Sequence, residues 1–184
     1  GSTNSGKTLF LSNFEASYLQ QGFNVLYITL EISEEDFAKR MESNLMNVAM
    51  GDLYSLSRDE YLKKIEKIRN KTIGNLIIKQ YPTGAGNTIL FRSLLNELQL
   101  KKNFVPDVIL IDYLTICSSS RIRTSENSYS FYKSVAEEVR GLAVDLKIPI
   151  WSVIQTNRGA QGASDMELSD VAESHAISMT ADFM

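Results

Sequence analysis

The first eight residues, Gly1-Ser2-Thr3-Asn4-Ser5-Gly6-Lys7-Thr8, satisfy the pattern G-x-x-x-x-G-K-[ST] at every specified position. Residues of these types at this spacing can hold phosphate. The glycines let backbone N–H groups curl around phosphate oxygens at a helix N-terminus, where the helix dipole also favours negative charge. Lys7 is then placed to reach the β- and γ-phosphates of a nucleoside triphosphate, and the Thr8 hydroxyl to ligate Mg²⁺. The bland alternative is a Gly/Ser/Lys turn that only caps a helix. A helical pattern does follow, while the strand that normally precedes such a loop is not in the chain.

Three further polar residues close apolar runs. LYITL ends at Glu31, VILI at Asp112 and WSVI at Gln155. In an open parallel sheet, ligands bind outside the carboxyl ends of the strands, so these are the positions where chemistry is expected. A carboxylate at Asp112 suits a grip on Mg²⁺, Glu31 is suited to act as general base on an attacking water, and Gln155 is suited to sense the γ-phosphate. Each could instead point into solvent, and Glu31 could cap the helix that starts near Ser33.

These residues need elements to position them, and helical and strand patterns alternate along the chain. Helices are expected from Thr8 to Gln21, where Phe10, Phe14, Tyr18 and Leu19 fall near helical spacing, and after Ser33. A third helix should follow the Ser57/Glu60 capping-box pattern, a fourth should run over Ile89 to Leu98, and a fifth from Tyr129 to Leu146. Strands are expected at Asn24–Leu30, Asn75–Gln80, Asp107–Asp112 and Ile150–Gln155, with the stretch to Ser178 mostly irregular and a strand beginning at Ala181–Met184. Unbroken apolar strands that alternate with helices imply a mostly parallel sheet covered on both faces, an α/β class. One domain spanning residues 1–184 is expected, truncated at both ends and interior to a longer protein.

Composition narrows the function. The chain has 184 residues, 43% of them hydrophobic, with 19 Lys+Arg against 22 Asp+Glu. That balance excludes a wholly basic nucleic-acid wrapper, so any nucleic-acid contact must be local. One cysteine, Cys117, and one histidine, His175, exclude a disulfide framework and a Cys/His zinc site. Apolar runs are far shorter than the roughly 20 residues a membrane helix needs. No membrane partner and a reducing, cytoplasmic setting are expected.

Taken in order, Gly1 to Thr8, Leu30-Glu31, Ile109-Leu110-Ile111-Asp112-Tyr113-Leu114, Gln155-Thr156-Asn157-Arg158, Ser169-Asp170, Glu173-Ser174 and Ala181-Asp182 resemble the DnaB-like hexameric replicative helicases, with the T-even-type phage branch nearest in pattern. The resemblance spans essentially the whole chain. It implies a RecA-like ATPase core that uses ATP and Mg²⁺, a homo-hexameric ring, and 5′-to-3′ translocation on single-stranded DNA with duplex unwinding. It also implies contacts with a primase and a helicase loader, in a bacterial or phage-infected cytoplasm. The resemblance places an arginine for the neighbouring subunit's site beyond Met184. Two loops match family loops that face the central channel, Ser118 to Ser128 with Arg121 and Arg123, and Asn157 to His175 with Arg158, Glu173, Ser174 and His175. The chain has Ala172-Glu173-Ser174-His175 where the bacterial family shows Arg-Glu-Ser-Gly. A RecA-like recombinase would share every catalytic element, and a non-hydrolysing nucleotide-binding assembly module is the alternative from another class.

Overall fold

The computed structural model describes residues 6–71, 74–123, 128–154 and 175–184. Among them, β1 (Val25–Thr29), β2 (Leu76–Gln80), β3 (Val108–Asp112) and β4 (Ile150–Ser152) form one sheet in the order β2-β1-β3-β4, with every pairing parallel. The helices are α1 (Lys7–Gln20), α2 (Glu34–Met46), α3 (Arg58–Lys71), α4 (Thr88–Lys102), α5 (Ser128–Leu146) and the short α6 (His175–Ser178). The α/β reading therefore holds.

Strand parity divides the core in two. Val25, Tyr27, Val108 and Leu110 project to one face, where they pack with Leu11, Ala16 and Leu19 of α1 and Phe37 and Met41 of α2. Leu26, Ile28, Leu30, Ile109 and Ile111 project to the other and meet α4 and α5. β1 and β3 are buried along their whole length because both faces are covered and both edges are paired, whereas β2, at the sheet edge, is only half-buried. The chain leaves β1 for β2 on one side and leaves β3 for β4 on the other. The gap between the carboxyl ends of β1 and β3 is thus the topological switch point, where ligands of open α/β sheets bind.

Helix starts follow local chemistry. The Ser33 hydroxyl accepts from the Asp36 N–H at 3.0 Å and caps α2, so Glu31 is free of that duty. Glu60 accepts from the Ser57 N–H and hydroxyl at 3.0 and 2.6 Å, completing the expected capping box ahead of α3.

Two expected helices form, with buried faces that their apolar residues alone do not pick out, and two expected strand ends are corrected. The buried face of α1 is Leu11, Ser12, Glu15, Ala16 and Leu19. Phe10 is exposed, and Phe14 and Tyr18 form an aromatic row beside it that meets Trp151, with Phe14 at 5.0 Å from that ring. On α4, likewise, Phe91 takes the core position, and Ile89 and Leu90 are exposed. β4 ends at Ser152, short of Gln155: β3 turns after Asp112 into a 3₁₀ turn at Leu114–Ile116, and past Ser152 the Val153 carbonyl accepts from the Leu114 N–H of that turn at 3.2 Å in place of regular ladder pairing. The end of the chain is no strand. His175–Ser178 is helical with Ile177 buried in the core, and Asp182 accepts from Arg140 Nη2 at 2.7 Å.

Candidate functional site

α1 begins at Gly6, whose φ of 81° lies in the left-handed region that glycine alone enters without a steric penalty. From there α1 runs over the face of the sheet that Val108, Leu110 and, by the same parity, Asp112 share. That geometry brings together residues 104 positions apart. The Thr8 hydroxyl donates to Asp112 Oδ2 at 2.9 Å. The same oxygen accepts from the Tyr27 phenol at 2.8 Å, so the carboxylate is gripped from the loop side and from within the sheet. Tyr27 is itself fully buried and stacked on Phe37, with ring centroids 3.5 Å apart.

Asp112 is fully buried, and its second oxygen, Oδ1, has no hydrogen-bond partner among the described residues. A buried, unsatisfied carboxylate oxygen beside a threonine hydroxyl is a donor set that suits Mg²⁺. That ion takes few protein ligands and completes its octahedron with water and phosphate oxygens.

The Lys7 ammonium lies 5.7 Å from the centre of the Tyr113 ring, over its face. Burial, then the nearby charges of Glu31 and Asp112, push the Tyr113 phenol above its ordinary range. Lys7, Tyr113, Glu31 and Asp112 therefore converge at the carboxyl ends of β1 and β3. Glu31 is exposed, two residues past the end of β1. The Thr29 hydroxyl donates to the Ile32 carbonyl at 2.9 Å and accepts from its N–H at 3.1 Å, a tight bend that takes the chain out of the sheet at Glu31.

Of the residues expected in the site, the structure joins Lys7, Thr8, Glu31 and Asp112, with Gly6 at the helix start. Gly1, Ser2, Thr3, Asn4, Ser5, Gln155, Arg158, Glu173 and Ser174 lie outside the described residues, as does the side chain of His175. Arg121 and Arg123 are exposed, and neither pairs with a carboxylate among the described residues. Cys117 is buried in the core with its thiol pushed up to about 12 by burial, and it has no place in the site.

Sequence reasoning missed Tyr27. Its signal was parity: Tyr27 lies two residues before Thr29, which pairs in register with Asp112, so all three share a face. It also missed Thr83, whose hydroxyl donates to the Leu30 carbonyl at 2.8 Å and anchors the turn at residues 82–86 beside Glu31.

The model of the DnaB-like helicase C terminal domain matches residues 1–184. The chain belongs to this family. It is 51% identical to the DnaB-like replicative helicase of Enterobacteria phage T4 over 98% of this chain and 39% of that protein. It is 27% identical to the replicative DNA helicase DnaB of Helicobacter pylori strain 26695, over 97% of this chain and 36% of that protein. The chain thus spans less than two-fifths of the length of these relatives. Among solved structures, a DnaB-like replicative helicase studied with its primase superposes with a TM-score of 0.76, covering 98% of this chain and 45% of that one at 18% identity. A second solved structure, of an ATPase domain, gives 0.77 over 98% of this chain and 64% of that one, also at 18% identity. The expected RecA-like fold of a DnaB-type ATPase domain is therefore present. No helix among the described residues is long and apolar enough to cross a membrane.

Proposed function

We propose that this DnaB-type domain is the ATP-hydrolysing motor core of a replicative DNA helicase, coupling hydrolysis to 5′-to-3′ movement on single-stranded DNA within a six-subunit ring. The observation that carries the reading is Asp112: buried, held by Thr8 and Tyr27, and presenting one unsatisfied oxygen at the helix start that follows the phosphate-loop motif. Mg²⁺, when bound with ATP, supplies charge neutralisation across the β- and γ-phosphates.

The protein's own groups do the rest. Lys7 adds a point charge on the same phosphates, and the N-terminus of α1 directs its N–H groups and dipole at them. Thr8 and Asp112 would hold the metal, Thr8 through its hydroxyl and Asp112 through the oxygen that now lacks a partner. Tyr27 keeps the carboxylate from rotating. Glu31, exposed at the same end, accepts the proton of the attacking water, and Gln155 reads the γ-phosphate. Arg121, Arg123 and Arg158, with Glu173, Ser174 and His175, belong to the loops that face single-stranded DNA. The family resemblance and the primase contacts of one structural relative make a primase and a loader the partners to test.

In the full-length protein, Lys7→Ala should abolish tight ATP binding in a fluorescent-analogue titration. Glu31→Gln should leave nucleotide and Mg²⁺ bound while turnover falls about a hundredfold or more, the scale of a lost general base. Normal turnover by Glu31→Gln together with a bind-but-not-hydrolyse Asp112→Asn would exchange the two roles. ATP-driven separation of a forked duplex distinguishes a helicase from a recombinase or a passive nucleotide-binding module.

A further inference from the structure

Glu138, in the middle of α5, is 6% exposed, and no lysine or arginine pairs with it among the described residues. Hydroxyl and N–H donors surround it instead. Oε1 accepts from the hydroxyls of Ser119 and of Ser134, the latter at 3.1 Å. Oε2 accepts from the Ser120 N–H at 2.9 Å, the Ser120 hydroxyl, and the Thr88 hydroxyl at 3.1 Å. Burial pushes this carboxyl up, but the bonds from Ser119, Ser120 and Ser134 outweigh it and hold it below the ordinary range, so it is ionised in the folded protein.

Three of these donors, from Ser119 and Ser120, belong to the loop that carries Arg121 and Arg123. The Ser119 hydroxyl, whose proton goes to Glu138, accepts in turn from the N–H groups of Arg121 and Ile122 at 3.0 and 3.1 Å. The orientation of that one hydroxyl therefore sets the backbone from which Arg121 projects. The same loop is fastened to the ATP site. Ser118 donates through its N–H to the Gly86 carbonyl at 2.8 Å, and the Gly84 N–H donates to the Ile116 carbonyl at 2.9 Å. The turn containing these glycines is held by Thr83 to Leu30, the residue before Glu31. Thr88, two residues after Gly86, returns to Glu138. A closed circuit of hydrogen bonds thus links the end of β1, the turn at 82–86, the start of α4, the Ser118–Arg123 segment and α5.

We propose that Glu138 is the positioning residue that holds Arg121 and Arg123 where they meet the phosphates of a single strand, and that the turn at residues 82–86 ties this placement to the strand end bearing Glu31. The proposal rests on the reading that this loop faces DNA. A surface carboxylate would repel that ligand, whereas a buried one spent on five donors orders the loop without offering its charge to the strand.

The test uses the full-length protein, oligothymidylate as probe, and ATP hydrolysis measured against oligonucleotide concentration. Glu138→Ala should raise the half-saturating oligonucleotide concentration about tenfold while the rate at saturating DNA stays within about twofold, and Glu138→Gln should recover part of the loss because its amide oxygen still accepts. Ser119→Ala combined with Ser120→Ala removes the two loop-side hydroxyl donors, keeps the Ser120 N–H, and leaves Glu138 in place. It should reproduce the shift even where Glu138→Ala does not fold. Adding Glu138→Ala to an Arg121→Ala/Arg123→Ala variant should cost nothing further, since the position it sets is already empty. Weakened DNA response in the arginine variant, with wild-type response in both the glutamate and serine variants, overturns the positioning role. An arginine variant that responds to DNA like wild type overturns the DNA-facing loop itself and the proposal with it. Nucleotide titration of the same variants shows separately whether the ATP site stands.

Discussion

Glu15 shows how far a single residue can depart from what its type suggests. It lies on the buried face of α1, fully enclosed, and neither carboxyl oxygen has a hydrogen-bond partner among the described residues. Burial holds its carboxyl well above the ordinary carboxylate range. The folded protein therefore keeps a proton that the unfolded chain releases above about pH 4.5, and stability falls as pH rises from there toward the folded value, by up to about 1.4 kcal/mol per pH unit. Methionine has similar volume, favours helix and needs no partner. Glu15→Met should raise stability at pH 8 by about 1–3 kcal/mol, and the gain should shrink as the pH approaches 4.5. Denaturant titrations of both proteins at several pH values check this, and equal stability at pH 8 would show that the carboxyl finds a partner.

At the scale of elements, the link between α1 and the edge strand depends on one close approach. The Gly74 N–H donates to the Leu19 carbonyl at 3.1 Å, and the Asn75 carbonyl accepts from the Val25 N–H at 2.8 Å, so the chain entering β2 is laid directly on the end of α1 and the start of β1. A Cβ at Gly74 would fall 2.1 Å from the Phe23 carbonyl oxygen, a backbone atom that cannot step aside. Gly74→Ala should cost about 2–4 kcal/mol, read from urea unfolding, with β2 loosening first in amide exchange. Nucleotide affinity should suffer less, because β2 contributes no residue to the site between β1 and β3.

At the scale of the whole chain, a formal net charge of -3 supplies no long-range attraction for a polyanion, so the proposed affinity for DNA must come from a few cations placed in contact with it. Arg121 and Arg123 are exposed on a segment ordered by Glu138. Each phosphate contact on a single strand contributes about 0.7 to the slope of log affinity against log salt concentration. In the full-length protein, Arg121→Ala/Arg123→Ala should reduce the magnitude of that slope by at least about 0.7. A weakened affinity with an unchanged slope would mean that the arginines act through packing and touch no phosphate.

Much of this protein was legible in one dimension. The phosphate-loop pattern, the alternation of apolar strands with helices, the capping box at Ser57 and Glu60, and polar residues at strand ends are local signals, each arising from backbone geometry within a few residues. The class, and the choice of Lys7, Thr8, Glu31 and Asp112 as candidates that the fold then gathers at one end of the sheet, followed from them. The parts that stayed hidden depend on register and parity between segments far apart in the chain. Nothing near Tyr27 announces that its phenol will meet Asp112, because that contact exists only once β1 and β3 pair with Thr29 opposite Asp112. Nothing near Phe10 shows that it will be exposed while Glu15 is buried, because local spacing defines a stripe and only the packed sheet selects which stripe faces inward. Glu138 reads in sequence as one of two adjacent acids on a helix. Its helix supplies Ser134 one turn away, and the fold alone adds Thr88 from α4 and Ser119 and Ser120 from the loop, because a buried carboxylate is tolerated only where donors converge.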